Sequence, residues 1–181
     1  MQPKTNRQDG LTLLEVIITL VVALAMTGYA VPQWSRLVAS NRQTATVNQI
    51  IGAVQFARSK SIALHRDVVL CPDRGDGFCA ASGDTWPSRF LVFVDEERGP
   101  PYQLLEPAQI LLAGTLPDRM SVHANRDAFV FRPLSVRSSN GTVRVCDPDN
   151  LVPPAAVIVS VTGRPRSARR LAGGGAIPCP G

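Results

Sequence analysis

Histidine is almost missing from this 181-residue chain: only His65 and His123 occur, and the four cysteines never fall in a Cys-x-x-Cys pair. A zinc site needs clustered nitrogen and thiolate donors, so no metal is expected. Asp73 and Asp76 lack the alternating spacing of a calcium loop. The sequence also contains no Gly-x-Ser-x-Gly elbow, no Gly-x4-Gly-Lys cradle and no His-Glu-x2-His pair. With neither a nucleophile-base pair nor a phosphate loop, no enzyme and no cofactor is expected, and a membrane-tethered hydrolase has no residues to carry it. Lysine is scarce too, at Lys4 and Lys60 among 19 basic residues. A GC-rich coding bias explains that as readily as a need for guanidinium geometry, so arginine identity alone carries little.

What is present begins with Leu11 to Pro32, LTLLEVIITLVVALAMTGYAVP, in which Glu15 is the single charge. At about 1.5 Å per residue, Leu11 to Val31 spans roughly the 30 Å hydrocarbon core of a bilayer. A carboxylate in such a segment costs on the order of 2.5 kcal/mol or more and calls for a positive partner. The amine of a chain cut just before Leu11 would supply one. MQPKTNRQDG, upstream, is short and polar and ends in Gly10 against the apolar run, whereas no Ala-x-Ala-like site follows Tyr29. The expectation is a removable leader and a retained helix.

Beyond Pro32, apolar residues at Trp34, Leu37 and Val38, then at Val47, Ile50, Ile51 and Val54, keep helical spacing, so the helix is expected to lay one stripe on a folded domain. Pro32, helped by Gly28, reads equally as a hinge or as a tolerated irregularity. From Asp67 the period changes. DVVLC, RFLVFVD, QILLAG, MSVHA, AFVFRP, GTVRVCD and AAVIVSV are short β-branched or aromatic runs separated by turn residues. Asn140-Gly141 suits a hairpin between AFVFRP and GTVRVCD, with a bulged or extended loop presenting Arg137. Trp86, Phe90 and Phe93 read as core. The expected fold class is α+β, a long N-terminal helix packed on antiparallel sheets. Its parts are 1–10 leader, 11–32 transmembrane or filament-core helix, 33–66 amphipathic helix, and 67–181 β-rich head with a basic C-terminal loop and tail.

Four cysteines in a chain that crosses or leaves a membrane favour disulfides, because the periplasm is oxidising. Cys71 and Cys79 would close a short loop and Cys146 would reach Cys179, yet four cysteines allow three pairings and the sequence does not choose among them. Arg74-Gly75-Asp76, inside the first of those loops, is more simply a turn than an adhesion tripeptide.

The Gly10-Leu11 junction, Glu15 as fifth residue of the processed chain, and the apolar helix with Gly28 and Pro32 resemble the N-terminus of type IV pilins and type II secretion pseudopilins. That resemblance implies cleavage after Gly10 by a prepilin peptidase, methylation of the new N-terminus, and a role for Glu15 in registering each subunit against other major and minor pilins. Leu11 departs from the usual Phe. Trp86 with RFLVFVDEER, FRPLSVRSSNGTVRVCD and VIVSVTGRPR are similar to successive blocks of the GspH/FimT family of minor pilins and pseudopilins. Departures are Leu134, where glycine is common, and the Gly-rich extension to Cys179. A single-pass inner-membrane protein with a periplasmic head, later part of a Gram-negative pilus, is implied.

Residues 1–125 hold 11 basic and 11 acidic residues, so the whole +5 excess falls in residues 126–181. Gly163-Arg164-Pro165-Arg166-Ser167-Ala168-Arg169-Arg170 packs four arginines into eight residues without an acid. Such a run makes a positive field open to an external polyanion. Guanidinium forks bind phosphate oxygens, and releasing condensed counterions makes the binding sequence-independent and salt-sensitive. Gly-Arg-x-Arg resembles the motif by which FimT minor pilins bind double-stranded DNA in natural transformation, and it falls on Gly163, Arg164 and Arg166. Arg169, Arg170 and Arg137 join the candidate site on charge and proximity. The bland reading is that Gly-Arg closes a turn, in a subunit that primes pilus or pseudopilus assembly through protein contacts only.

Overall fold

A computed structural model describes residues 12–75, 79–80, 85–96, 99–100, 102, 109–133, 138–171 and 173–180, and for 29–32 the backbone alone. One helix, α1, spans Leu13–Leu64. Thr12 caps it, its Oγ1 accepting the Glu15 amide at 3.3 Å, which is half of a Thr-x-x-Glu capping box. At the other end His65 turns left-handed (φ 52°) and stops the ladder. Pro32 falls within α1 rather than ending it.

The chain divides into two compact units, one through Val38 and one from Ala39 to Gly181. In the first, Leu13 to Met26 carry their large apolar side chains exposed, and the helix is long and apolar enough to cross a membrane. Trp34 and Leu37 are exposed as well, so the expected stripe on the domain does not include them. In the second unit, Ala39, Gln43, Thr46, Val47, Ile50, Ala53, Val54, Ala57 and Ser61 are buried. Those steps of three and four residues mark one face of the helix, and its small side chains allow close approach of a sheet.

Among the described residues nine strands follow: β1 Asp67–Pro72, β2 Thr85–Trp86, β3 Arg89–Asp95, β4 Ile110–Thr115, β5 Ser121–Ala124, β6 Phe129–Phe131, β7 Gly141–Cys146, β8 Ala155–Val159 and β9 Pro165–Ala168. They form two antiparallel sheets ordered β4-β3-β1-β6 and β2-β5-β7-β8-β9. Alternation assigns the faces. Val68, Leu70, Phe90, Val92, Phe129 and Phe131 join Val143, Val145, Val157 and Val159 against the helix stripe in one core. Val69, Cys71, Leu91, Phe93 and Val130 form a second cluster on the other side of the first sheet. Trp86 meets Phe129 edge to face, with centroids 6.0 Å apart.

The expected hairpin between AFVFRP and GTVRVCD does not form. Among the described residues β6 pairs with β1 and not with β7, while β7 pairs with β5 and β8 in the other sheet. Neither Asn140 nor Gly141 has positive φ. Gly141 is required for a different reason: a Cβ there would lie 2.7 Å from Asn125 Oδ1 and 2.9 Å from the Phe129 ring. The segment instead runs back beside β6, Ser139 donating its amide to the Val130 carbonyl and accepting the Val130 amide at its hydroxyl.

Candidate functional site

The arginine run is not all loop. Its centre, Pro165–Ala168, is β9, an edge strand paired to β8 with Ile158 opposite Arg166 and Val159 opposite Pro165. A proline and an arginine on an edge suit a strand that accepts no further partner. The turn between the strands is tightly specified. The Gly163 amide donates to the Ser160 carbonyl at 2.8 Å, the Ser160 amide to the Arg164 carbonyl at 3.0 Å, and the Arg164 amide to Ser160 Oγ at 3.2 Å. Gly163 has φ +72°, the left-handed residue that such a hairpin needs after its turn. It is also buried, since a Cβ would sit 3.1 Å from Phe131 Cδ1 and 3.3 Å from Arg58 Cδ.

This geometry separates the candidate arginines. Val157 and Val159 face the helix, so Arg166, across from Ile158, lies on the opposite face of the sheet. Arg164 sits at the end of the turn. Both are exposed, and among the described residues neither guanidinium has a hydrogen bond or ion pair. Ion pairs do form elsewhere, among them Arg66 with Glu96, Arg89 with Asp73 and Arg132 with Asp67. Arg169 is tied down, donating to Gln43 Oε1 at 2.7 Å and to the Pro153 carbonyl at 3.1 Å. Arg170 donates to the Gly174 carbonyl at 3.4 Å. Arg137 lies outside the described residues, as do Gly10 and Leu11.

Residues 46–163, more than half of the chain, match the model of the family described as type II transport protein GspH. The chain belongs to the GspH family. The family is one of structural, pilin-type subunits rather than enzymes. Two crystal forms of the type IV minor pilin FimU of Pseudomonas aeruginosa are similar to this chain, each with TM-score 0.49. One is 12% identical over 69% of this chain and 91% of that one, the other 14% identical over 70% and 88%. No curated protein matches. The GspH match ends on Gly163, so the arginines after it lie beyond the matched region.

In this GspH-family chain the disulfides are Cys71–Cys79 and Cys146–Cys179. The second draws the tail over the helix-distal face of the β7 sheet, where Ile177 is buried and Arg144 donates to the Pro178 carbonyl. The first encloses Arg74 and Gly75, where Asp73 accepts the Gly75 amide at 2.7 Å in a local turn; Asp76 lies outside the described residues. Among the described residues no three His, Cys, Asp or Glu side chains gather as metal ligands.

Two residues that matter here carry no motif. Gln43, fully buried, donates to the Pro153 carbonyl at 2.9 Å while accepting Arg169, and so fixes the end of β9 to the helix. Arg58 lies beneath Gly163 on the helix, and with Arg164 it lines one depression. Its signal was its place, one residue after the stripe position Ala57 and therefore at the margin of the buried face.

Proposed function

We propose that this GspH-family subunit is a minor pilin that holds double-stranded DNA through the phosphates it presents to Arg164 and Arg166, during DNA uptake in natural transformation. The observation that carries the reading is the pairing of exposure with lack of partners, among the described residues, at these two guanidiniums, one at the end of a turn held by three hydrogen bonds and the other on the edge strand that follows it. Unpaired cations cost little in water and gain charge-assisted bonds with phosphate oxygens, along with counterion release. Arg169 and Arg170 add to the field while their forks are partly engaged by neutral acceptors; Arg137 belongs to the same site in this reading. Sequence preference is not expected, because phosphate contacts position a protein without reading bases.

The rest of the life cycle follows from the N-terminal segment. A prepilin peptidase removes residues 1–10, the apolar helix holds the subunit in the inner membrane with its head in the periplasm, and Glu15 then meets the new N-terminus of a neighbouring pilin in the pilus. A band-shift of the full chain in uncharged detergent with duplex DNA tests the central step. Changing Arg164 and Arg166 together to Gln should abolish most of the shift; equal binding by wild type and variant would retire the DNA role.

The matched family's description as a type II transport protein supports a second reading, a subunit that primes pilus or pseudopilus assembly through protein contacts alone. The exposed Trp34 and Leu37 offer apolar surface for such contacts. A deletion strain that loses piliation or secretion but keeps DNA uptake would select it.

A further inference from the structure

One depression in the head, of about 460 Å³, is lined by Gln55, Arg58, Ser59 and Ile62 of α1 and by Arg164 and Pro165 of the β8–β9 connection. Its charge is of one sign. Among the described residues no carboxylate lines it, and neither Arg58 nor Arg164 has a side-chain partner. Two guanidiniums on one concave surface repel each other, a cost that an anion between them would reverse.

The surroundings hold the two groups in place. The Arg58 stem packs beneath Gly163, its Cδ 3.3 Å from where a Cβ would be, and the Arg58 carbonyl is engaged by Ser61 Oγ. Pro165 restricts the backbone of Arg164 to extended conformations, and the turn's bonds through Ser160 fix where that arginine leaves the sheet. Gln55 is exposed, with its amide free to donate among the described residues, whereas the Ser59 hydroxyl is already spent on the Phe56 carbonyl. Two cationic side chains and no carboxylate among the described lining residues, on a rim with an apolar Ile62, fit a phosphodiester oxyanion rather than a zwitterion.

We propose that Arg58 and Arg164 form a clamp on a single backbone phosphate of bound DNA, with Gln55 as a third donor, so that the helix as well as the hairpin takes part in binding. This rests on the DNA-binding reading above and adds to it a residue on α1. Arg166, on the other face of the sheet, then serves a separate phosphate.

The test is an anisotropy titration of labelled duplex DNA with the full chain in uncharged detergent, repeated between about 50 and 200 mM salt. Wild type is compared with Arg58→Met, which keeps the apolar stem under Gly163, and with Arg58→Gln, Arg164→Gln, Arg166→Gln and the double Arg58→Gln/Arg164→Gln. Each Arg58 variant and Arg164→Gln should weaken binding roughly tenfold or more. Because the two arginines share one phosphate, the salt slope should become shallower by no more than about 0.9 in either single variant and by about 0.9 in the double. A double variant shallower by about 1.8 would place the arginines on different phosphates and overturn the clamp. Wild-type binding by Arg58→Met, with Arg164→Gln and Arg166→Gln still impaired, would overturn it too while leaving the DNA role intact. If every variant binds as wild type does, the DNA role itself fails, and the clamp with it.

Discussion

Gly163 shows how one residue can serve packing and presentation together. Its left-handed φ costs any other L-residue about 1–2 kcal/mol, and a methyl there presses on Phe131 and on the Arg58 stem. Gly163→Ala should therefore lower the melting temperature by roughly 2–8 °C, read by circular dichroism. The four arginines, alike in sequence, should divide by the same assay. Arg164→Gln and Arg166→Gln remove groups without partners and should leave stability within about 0.5 kcal/mol. Gln43→Ala removes one of two donors to the Pro153 carbonyl and one of two acceptors of the Arg169 fork from a buried position and should cost about 1–3 kcal/mol, with Arg169→Ala destabilising in the same direction. An equal loss from Arg164→Gln would mean that its guanidinium is a structural group. None of this division was legible in the run Arg164 to Arg170, because partners 126 residues away in the chain decide it.

Among the elements, the helix and seven of the strands were visible as period changes, since a 3.6-residue stripe and a 2-residue alternation leave different marks on apolar residues. β2 and β9 were not, because a two-residue strand has no period and a strand reading Pro-Arg-Ser-Ala has no apolar face. Asn140-Gly141 misled for a physical reason. The same dipeptide serves a positive-φ turn or a close approach, and only the Phe129 ring against Gly141 distinguishes them. The disulfides belong to this scale too. Cys146–Cys179 closes a span of 33 residues that contains β8, the turn and β9, whereas Cys71–Cys79 closes 8. On the loop-entropy account the longer bridge contributes about 3.7 kcal/mol and the shorter about 2.5. Cys146→Ser/Cys179→Ser should thus lose more denaturant resistance than Cys71→Ser/Cys79→Ser and should expose the tail after Leu171 to protease. Equal resistance in both variants would show that the tail is held by Ile177 and Arg144 instead of by its sulfurs.

Across the whole molecule, an apolar helix with a single carboxylate and a two-sheet head give a subunit of the GspH family, and the +5 charge excess is confined to residues 126–181. That separation along the sequence of the apolar helix from the cationic residues gives the proposed DNA role its logic: in that reading the helix partners other pilins and the arginines remain open to a polyanion. The most direct measurement is the salt dependence of duplex DNA binding by the full chain and by its Arg164→Gln/Arg166→Gln variant. The account predicts that log K falls linearly with log salt for the wild type and that the variant's slope is shallower by about 0.9 to 1.8, one to two phosphates' worth of released counterions. Identical affinities and identical slopes for the two proteins would contradict it.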